Sequence, residues 1–313
     1  MSASKPELLV LHVLSPEHLV QLGQHFAVHY APSAPERAQA VASMGARFHA
    51  VLTVGAVGLT AAEIDAMPQL GWIGSLGAGY ENVDVHHAKA RGIAVSNGAG
   101  TNDHCVADHA FGLVIAAVRG LVRLDRWTRE GVWRNDIPLP PNVSGKRLGI
   151  LGLGTIGQKI ARRGEAFDMP VGYHNRQPKA DVGYAYFDSV LALAQWADVL
   201  MVATPGGAGT RHLVNAQVLD ALGPQGYVVN IARGSVVDTA ALAVALREGR
   251  LAGAGLDVYE SEPLPPAELL DSDAVVLSPH VAGWSPEAVQ ATVDLFLANA
   301  QRHFAGQPLV TPL

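Results

Sequence analysis

A short apolar run that leads directly into three spaced glycines is the feature of this sequence that most restricts its fold. Residues 146–151 predict a β-strand, residues 152–157 follow as Gly-Leu-Gly-Thr-Ile-Gly, and a helical pattern continues through Phe167. In this context the first glycine allows a tight turn, the second lets a pyrophosphate approach the backbone, and the third lets helix and strand pack closely. The free N–H groups at the start of the helix then face the phosphates. The motif predicts a dinucleotide-binding βαβ unit.

Short apolar runs and longer amphipathic stretches alternate along the whole chain. This alternation predicts βαβ units and parallel sheets. A first set of strands is predicted at residues 8–14, 51–54, 72–75 and 93–96, and a second, larger set at residues 148–151, 171–173, 199–202, 228–230, 253–257 and 275–277. One long helix is predicted between the two sets, near residues 102–130. Residues 136–145 contain three prolines and predict a loop or arm.

The length of the chain and the position of its last helix predict two domains. The 313 residues correspond to two domains of about 100–200 residues each. The helical pattern at residues 286–304 comes after the second sheet, so we expect it to return to the first domain. The predicted fold class is α/β with two doubly wound parallel-sheet domains. A Rossmann-type cofactor domain, residues 99–285, is inserted in a flavodoxin-like substrate domain, residues 1–98 plus 286–313, with hinges near residues 97–102 and 282–285.

Charge and composition restrict the partners of this chain. The net charge is −6 and Lys/Arg runs are nearly absent, which argues against nucleic acid because phosphate neutralisation needs clustered cations. No segment reaches ~18 uninterrupted apolar residues, and the first ten residues lack the apolar core of a signal peptide. We therefore expect no membrane association and a cytoplasmic location. The single cysteine, Cys105, cannot form an internal disulfide or a zinc cluster, so no metal site is expected.

The residues about twenty positions after the glycines favour NADPH, since an NAD enzyme usually places an acidic side chain there for the ribose 2′-hydroxyl. Here the strand ends in Asn175 and Arg176, with Lys179 close behind. Arg176 is suited to a bidentate, charge-assisted pair with a 2′-phosphate, and Asn175 leaves the site neutral. The expected cofactor is NADPH, oxidised to NADP, with NAD as the alternative. Polar residues that merely face solvent in a βα loop would give the same pattern.

Three later segments lie just past the carboxyl ends of predicted strands, where ligands bind in open α/β sheets. They are residues 230–238, which include Arg233, residues 255–263, which include Glu262, and residues 278–283, which include His280. With the glycine turn and residues 76–84, they have the order and spacing of the D-isomer-specific 2-hydroxyacid dehydrogenase family, which the chain resembles over nearly its whole length. The resemblance implies NADPH-dependent reduction of a small 2-oxo acid to the D-2-hydroxy acid. It is strongest to the glyoxylate, hydroxypyruvate and hydroxyphenylpyruvate reductase branch, mainly through residues 173–176.

The three segments supply side chains that suit this chemistry. Hydride attack on a 2-oxo acid builds negative charge on the ketone oxygen, beside a carboxylate. The planar fork of Arg233 suits both the carboxylate and the ketone. His280 suits the proton donor, and Glu262, bonded to the far ring nitrogen, would raise the pKa of the imidazole. By resemblance, His280 is the acid/base, Glu262 its partner and Arg233 the substrate anchor. The structural alternatives are a sheet-edge ion pair for Arg233, a loop carboxylate for Glu262 and a buried histidine for His280.

The other predicted site residues surround this trio. Small residues let a backbone approach an anion closely, so residues 77–79 predict an N–H nest for the substrate carboxylate, with a plain tight turn as the alternative. The substrate set is Gly77, Ala78, Gly79, Arg233 and His280. The cofactor set that the resemblance implies is Val106, Gly152, Leu153, Gly154, Thr155, Ile156, Gly157, Asn175, Arg176, Thr204, Ile231 and Asp257. In this set Asp257 would reach the nicotinamide side and Val106 would pack on the ring, although a core position suits Val106 equally.

The resemblance also implies a two-fold homodimer, built mainly from the long helix near residues 102–130 and the arm through Trp133 and residues 138–141. Trp127 and Trp133 are candidates for interface anchors or for core packing. The sequence departs from the commonest family pattern at Trp284, where many relatives carry a small residue, so the choice of substrate stays open. Two other functions also stay open. One is an NAD-dependent dehydrogenase of another hydroxy acid such as 3-phosphoglycerate, and the other is a non-catalytic, nucleotide-sensing protein related to corepressors.

Overall fold

Strands and helices alternate along the first hundred residues of the computed structural model, which describes residues 5–313. The strands are β1 (Glu7–Val10), β2 (Ala27–Tyr30), β3 (Ala50–Val54), β4 (Trp72–Leu76) and β5 (Ala94–Ser96). The helices between them are α1 (Pro16–Gly23), α2 (Ala34–Met44), α3 (Ala61–Asp65) and α4 (Val85–Ala90). Ser15, Ser33 and Thr60 cap the first three of these helices through their hydroxyl groups.

The alternation continues to the end of the chain. The helices are α5 (Asp103–Arg119), α6 (Leu121–Arg129), α7 (Thr155–Ala166), α8 (Val190–Trp196), α9 (Ala216–Leu222), α10 (Thr239–Arg247) and α11 (Pro286–Phe304). The strands are β6 (Leu148–Leu151), β7 (Val171–His174), β8 (Ala185–Tyr186), β9 (Val199–Val202), β10 (Tyr227–Asn230), β11 (Gly253–Leu256) and β12 (Val275–Leu277). Short 3-10 helices occupy Gly45–Arg47, Arg134–Asp136, Ala208–Thr210, Gly234–Val236 and Ala267–Leu269.

The chain divides into two units, one comprising the described part of Met1–Asn102 with Trp284–Leu313, the other Asp103–Gly283. The first unit contains a parallel sheet in the order β2-β1-β3-β4-β5. Its strand order reverses between β1 and β3, which makes it doubly wound. The last helix, α11, belongs to this unit, and its Phe296 ring lies 4.5 Å from the Trp72 ring of β4. Gly74 makes this packing close, since a Cβ there would lie 2.4 Å from Cε2 of Phe296.

The second unit contains a seven-stranded parallel sheet in the order β12-β11-β10-β9-β6-β7-β8. Strands β6, β9, β10 and β11 are buried along their whole length, as expected for parallel strands covered on both faces. The order reverses between β6 and β9, and β6 is the strand that leads into the glycine turn. The predicted fold class, α/β with two doubly wound parallel sheets, is confirmed. The assignment of the units to substrate and cofactor, with boundaries at residues 98/99 and 285/286, stays a prediction.

The prediction of one long helix near residues 102–130 is wrong. Helix α5 ends at Arg119, and α6 begins at Leu121 after a bend of 59°. Gly120 lies between them with φ 64, a left-handed conformation that ends an α-helix and that glycine adopts without a steric penalty. No single helix within residues 5–313 is long and apolar enough to cross a membrane, and only the bent pair α5 and α6 meets that criterion by length and composition.

Three further differences concern short strands. The strand predicted at residues 8–14 already ends at Val10, whose pairing with Tyr30 and Leu52 is the last in the register. Two edge strands, β2 and β8, were not predicted. No residue of β2 or β8 is fully buried, so neither strand needs the apolar run by which central strands are recognised.

Candidate active site

The turn between β6 and α7 has a steric requirement for glycine at its first and third glycine positions and open space at the second. Gly152 has φ 100, and a Cβ there would lie 2.7 Å from the backbone nitrogen of Thr204. A Cβ on Gly157 would lie 2.3 Å from the carbonyl oxygen of Gly152, so only glycine lets α7 pack against the turn. A Cβ on Gly154 would meet nothing within 4 Å, and no side chain caps the start of α7 at Thr155. Open space in front of free helical N–H groups fits a pyrophosphate.

The end of β7 presents an amide and a cation next to this turn. The Asn175 side-chain oxygen accepts a hydrogen bond from the backbone N–H of Leu153 at 2.7 Å, so Asn175 holds the turn in place. This contact was not predicted from the sequence. Arg176 is exposed, and within residues 5–313 its guanidinium makes no hydrogen bond or ion pair. The cation is therefore available to a ligand phosphate.

The remaining members of the predicted cofactor set lie in two environments. Val106, Leu153 and Ile231 are at most 8% exposed and belong to the apolar core of the second unit. Ile156 packs against the same core and is partly buried, whereas Thr155 is exposed. Thr204 follows β9, and its backbone contacts the glycine turn. The structure therefore brings Thr204 to the predicted pyrophosphate cradle and surrounds Val106 with core residues.

Asp257 makes its hydrogen bonds to the segment that contains His280. It is 1% exposed. One carboxylate oxygen accepts hydrogen bonds from the Ser278 hydroxyl at 2.6 Å and from the backbone N–H of Val281 at 3.0 Å, and the other accepts from the N–H of Ala282 at 2.9 Å. The carbonyl oxygen of Asp257 also accepts the N–H of His280 at 2.8 Å. These four bonds fix the backbone on both sides of the imidazole.

Two side chains that sequence reasoning missed extend this network. His109 on α5 places Nε2 at 2.8 Å from the Ser278 hydroxyl and at 3.4 Å from Asp257. The Tyr259 hydroxyl donates to the carbonyl oxygen of Ser278, and burial, with the Asp257 charge, raises the pKa of Tyr259 to about 12. No local pattern marks His109, because it lies on a largely apolar helix far from the motifs it contacts. Tyr259 lies inside the Asp257–Glu262 segment, and its aromatic ring is the feature by which the sequence could have identified it.

His280 and Glu262 form a direct pair. The imidazole Nδ1 lies 2.8 Å from one oxygen of Glu262, and the other oxygen accepts the backbone N–H of Tyr259 at 2.8 Å. The His280 side chain is 47% exposed and that of Glu262 33%. His280 has φ 55, a left-handed conformation that is uncommon for a histidine and is maintained here by the surrounding hydrogen bonds. Within residues 5–313 its Nε2 has no hydrogen-bond partner, so that nitrogen is free for a substrate.

The pair shifts the pKa of each partner in the direction that favours the ion pair. The hydrogen bond to Glu262 raises the pKa of His280 above its usual range, and this effect exceeds the opposing effects of burial and of the Arg233 charge. Burial alone would raise the pKa of Glu262, but hydrogen bonds from His280 and Tyr259 outweigh burial, and the net pKa is lowered. The imidazole is therefore protonated to a higher pH than a free histidine, as a proton donor requires.

Arg233 lies on a loop whose shape is set by buried groups. Asn230, 1% exposed, donates from its amide to the Arg233 carbonyl at 3.0 Å and accepts the N–H of Ala232 at 3.0 Å. A Cβ on Gly206 would lie 2.7 Å from Cγ of Arg233, so this glycine leaves room for the arginine side chain. The Arg233 charge acts to lower the pKa of both His280 and Glu262, although the larger effect of the Glu262 hydrogen bond leaves the pKa of His280 raised. The three predicted catalytic residues are therefore close enough to interact electrostatically.

In the first unit, the loop after β4 has the features of an anion-binding nest. Gly77 has φ 75, and its carbonyl oxygen accepts the N–H of Gly98. The carbonyl oxygen of Ala78 accepts the Asn97 amide at 2.9 Å, and that of Gly79 accepts the Ser75 hydroxyl at 2.8 Å. In the described chain, the N–H groups of residues 77–79 make no hydrogen bond. Carbonyls bonded to the protein and unpaired N–H groups are the arrangement that an anion requires.

The carboxyl edge of the seven-stranded sheet thus combines a glycine turn after β6 with an arginine and a protonatable histidine–carboxylate pair after β10, β11 and β12. In the described part of the chain, no group of three or more His, Cys, Asp or Glu is placed to hold a metal ion. This combination defines a dinucleotide-dependent dehydrogenase.

Comparisons with known proteins agree with this class. The sequence profile described as "D-isomer specific 2-hydroxyacid dehydrogenase, NAD binding domain" matches residues 111–282. The chain is 41% identical over 280 residues to hydroxyphenylpyruvate reductase of Plectranthus scutellarioides, covering 89% of this chain and 90% of the relative. It is 35% identical over 312 residues to 2-ketogluconate reductase of Gluconobacter oxydans, with 99% of both covered.

A solved structure extends the similarity to the whole fold. The NADPH-dependent glyoxylate/hydroxypyruvate reductase of Sinorhizobium meliloti, in complex with NADP and malonate, superposes with a TM-score of 0.91 at 39% identity, covering 99% of this chain and 97% of that one. The chain belongs to the D-isomer specific 2-hydroxyacid dehydrogenase family.

Proposed function

We propose that this protein reduces a small 2-oxo acid to the D-2-hydroxy acid, with NADPH as the hydride donor. The observation that carries this proposal is the His280–Glu262 pair, whose imidazole has a raised pKa and a free Nε2. Arg233 nearby supplies the cation that a 2-oxo acid requires. The relatives named above as hydroxyphenylpyruvate, 2-ketogluconate and glyoxylate/hydroxypyruvate reductases support this reaction class.

Three side chains carry the proposed chemistry. The reduced nicotinamide, when bound, supplies the hydride. Arg233 binds the carboxylate of the oxo acid and polarises its ketone. His280 gives the Nε2 proton to the ketone oxygen as negative charge develops there, and Glu262 keeps the imidazole charged and oriented through Nδ1. In the first unit, we propose that the unpaired N–H groups of residues 77–79 bind the substrate carboxylate.

A panel of initial rates tests the proposed function. NADPH and NADH are each offered with glyoxylate, hydroxypyruvate, pyruvate, hydroxyphenylpyruvate and phenylpyruvate, and 3-phosphoglycerate is tested in the oxidative direction. Reduction of at least one 2-oxo acid with NADPH is expected. Turnover of 3-phosphoglycerate with NAD alone would favour the second enzymatic function, and NADPH binding without any turnover would favour a nucleotide sensor. Trp284 is 73% exposed and therefore has no role in core packing.

Arg176 is expected to select NADPH over NADH. We predict that Arg176→Ala weakens NADPH binding about 10- to 100-fold, because a charge-assisted pair with the 2′-phosphate is lost. The affinity for NADH is expected to stay nearly unchanged, since NADH has no phosphate at that position. Fluorescence titration of both cofactors measures the effect, and NADH serves as the internal control. An equal loss for the two cofactors would assign Arg176 a different role.

Glu262→Gln is expected to shift the pH profile of reduction in a defined direction. Glu262 raises the pKa of His280, so the protonated imidazole and the activity persist to higher pH in the wild type. Removing the carboxylate charge lowers that pKa. The falling limb of the pH profile, in which kcat decreases as pH rises, therefore moves to lower pH, while activity at low pH is retained. Steady-state rates across the pH range provide the measurement. A limb that stays in place, or moves to higher pH, is incompatible with this role of Glu262.

We propose a homodimer that uses α5, α6 and the arm through Trp133 and residues 138–141. Supporting this proposal, four large apolar side chains are exposed there, Leu121 at 45%, Val122 at 59%, Trp133 at 65% and Leu139 at 95%. Trp127 instead stacks with the guanidinium of Arg123 at 4.8 Å. Sedimentation at micromolar concentration should give the mass of two chains, and Leu139→Glu should shift it towards one. Val13→Glu, at an apolar position 67% exposed in the first unit, is the control. A wild-type mass of one chain would exclude the dimer.

We propose a cytoplasmic location without membrane or nucleic-acid partners. The net charge of −6 and the single cysteine support this proposal. Cell fractionation measures it directly, and recovery with the membrane fraction would contradict it.

A further inference from the structure

A second histidine–carboxylate pair lies next to the Glu262–His280 pair in the second unit. Nε2 of His212 is 2.8 Å from one oxygen of Glu260, which precedes Glu262 by two residues. The other oxygen of Glu260 accepts the backbone N–H of Thr239, the first residue of α10, at 3.3 Å. Both side chains are partly buried, His212 at 33% and Glu260 at 26% exposure. The chemistry proposed above makes no use of either residue.

The backbone at His212 is held in an unusual conformation. Among the non-glycine residues of the described chain, only Asp168, His212 and His280 have a positive φ, and the value at His212 is 50. Such a conformation persists when surrounding contacts determine it. Here the N–H of His212 donates to the carbonyl oxygen of Ser235 at 2.8 Å, and Val214 forms an isolated bridge with Val237. The His212 loop is therefore bonded to the segment that directly follows Arg233.

The segment of residues 259–262 is held from several sides. A Cβ on Gly234 would lie 1.9 Å from the carbonyl carbon of Tyr259, so the two backbones are in direct contact. The N–H of Tyr259 donates to Glu262 at 2.8 Å, and the Tyr259 hydroxyl donates to the Ser278 carbonyl. Glu260 is the residue through which His212 is attached to this segment. Glu262 lies two residues further along the same segment.

We propose that His212 and Glu260 are positioning residues, which hold residues 259–262 so that the Glu262 carboxylate stays on the imidazole of His280. This inference rests on the proposed function and names the side chains that maintain its acid–base pair. The geometry that carries it is the path from the His212–Glu260 hydrogen bond, along the chain from Glu260 to the adjacent Tyr259, to the Tyr259 N–H that donates to Glu262.

The charges around the two pairs agree with this assignment. His212 faces Glu260 and, at 3.8 Å, Asp238, while Arg211 lies 3.4 Å from Glu260. Burial alone would raise the pKa of Glu260, but the hydrogen bonds from His212 and Thr239 outweigh it and lower the pKa. Glu260 is therefore a stable anion. His280 in turn faces Glu262, Arg233 and Asp257, so its titration reports whether Glu262 is in place.

The first test replaces His212 and follows the titration of His280. In His212→Ala, the falling limb of kcat should move to lower pH, as in Glu262→Gln, and kcat at alkaline pH should fall about 10- to 100-fold, because a small misplacement of a catalytic group has effects of this size. His212→Gln should restore much of the loss, since its amide is able to donate to Glu260. His87→Ala is the matched control, because His87 pairs with Asp65 at 2.9 Å on the first unit. An unchanged pH limb in His212→Ala would overturn the proposal.

A double-mutant cycle separates positioning from general stability. Adding His212→Ala to Glu262→Gln should leave the falling limb of the pH profile at the position that Glu262→Gln alone gives. The reason is that the Glu262 carboxylate, through which His212 acts, is already absent. A further shift in the double variant would contradict the proposal. Glu260→Gln gives a second route if His212→Ala does not fold. Histidine NMR titration of the protein without ligand, with His280 identified by His280→Asn, measures the same shift without turnover. Its outcome stays decisive even if no 2-oxo acid is reduced.

Discussion

His280→Asn is expected to lower kcat for 2-oxo acid reduction by about 10²–10⁴-fold, because a positioned general acid contributes about that much. Asparagine retains a polar side chain that is able to bond Glu262, but it has no proton to give at the position of Nε2. NADPH affinity is expected to stay unchanged, since the predicted phosphate cradle lies on the turn between β6 and α7. Steady-state kinetics and fluorescence titration of NADPH provide the two measurements.

The control for this substitution is His87→Asn, which removes a histidine paired with a carboxylate in the first unit. It should leave both kcat and NADPH affinity at their wild-type values. If His280→Asn abolishes cofactor binding instead of turnover, the general-acid role is contradicted. A His280→Asn enzyme with near wild-type rates would require a different proton donor.

Arg233→Lys is expected to raise the KM for the oxo acid about 10- to 100-fold, because lysine keeps the charge but loses the planar fork that bonds carboxylate and ketone together. A fall in kcat should accompany the rise in KM if the same guanidinium polarises the ketone in the transition state. Initial rates at saturating NADPH across a range of oxo acid concentrations separate the two parameters. The affinity for NADPH alone should not change.

Arg147→Lys is the matched control, since Arg147 pairs with Asp198 at 2.9 Å next to the amino end of β6, at the opposite edge of the sheet. Its kinetics should equal those of the wild type. An unchanged KM in Arg233→Lys would remove Arg233 from substrate binding. If the variants of His280, Glu262 and Arg233 all bind NADPH and reduce oxo acids normally, the dehydrogenase mechanism is wrong and a nucleotide-sensing function replaces it.

The parts of the fold that the sequence predicted are those with a local signal. Strands such as β6 and β9 are buried on both faces, so every residue is apolar or small, and the pattern is visible without knowledge of their neighbours. The edge strands β2 and β8 have no such requirement, and they were missed. The break at Gly120 was missed as well, because an isolated glycine within a helical pattern has a local conformation that the pattern does not reveal.

The candidate site divides in the same way. Arg233, Glu262 and His280 lie in short motifs just after strands, and parallel strands place their carboxyl ends at one edge, so their proximity was predictable. The hydrogen-bond partners of Asp257 were not predictable in this way. The resemblance assigned Asp257 to the cofactor, whereas its described hydrogen bonds run to Ser278, Val281 and Ala282 around the His280 imidazole.

The alternation of strands and helices, the glycine turn and the three polar side chains Arg233, Glu262 and His280 are visible in the sequence, because each depends on residue types within a few positions of one another. The distant side chains that support them became visible with the three-dimensional packing. His109 contacts Ser278, which is 169 positions away in the sequence, and His212 contacts Glu260, which is 48 positions away. The physical reason is that such contacts depend on the order of strands in the sheet and on the packing of α5 and the loops against it, and neither leaves a periodic pattern in the chain.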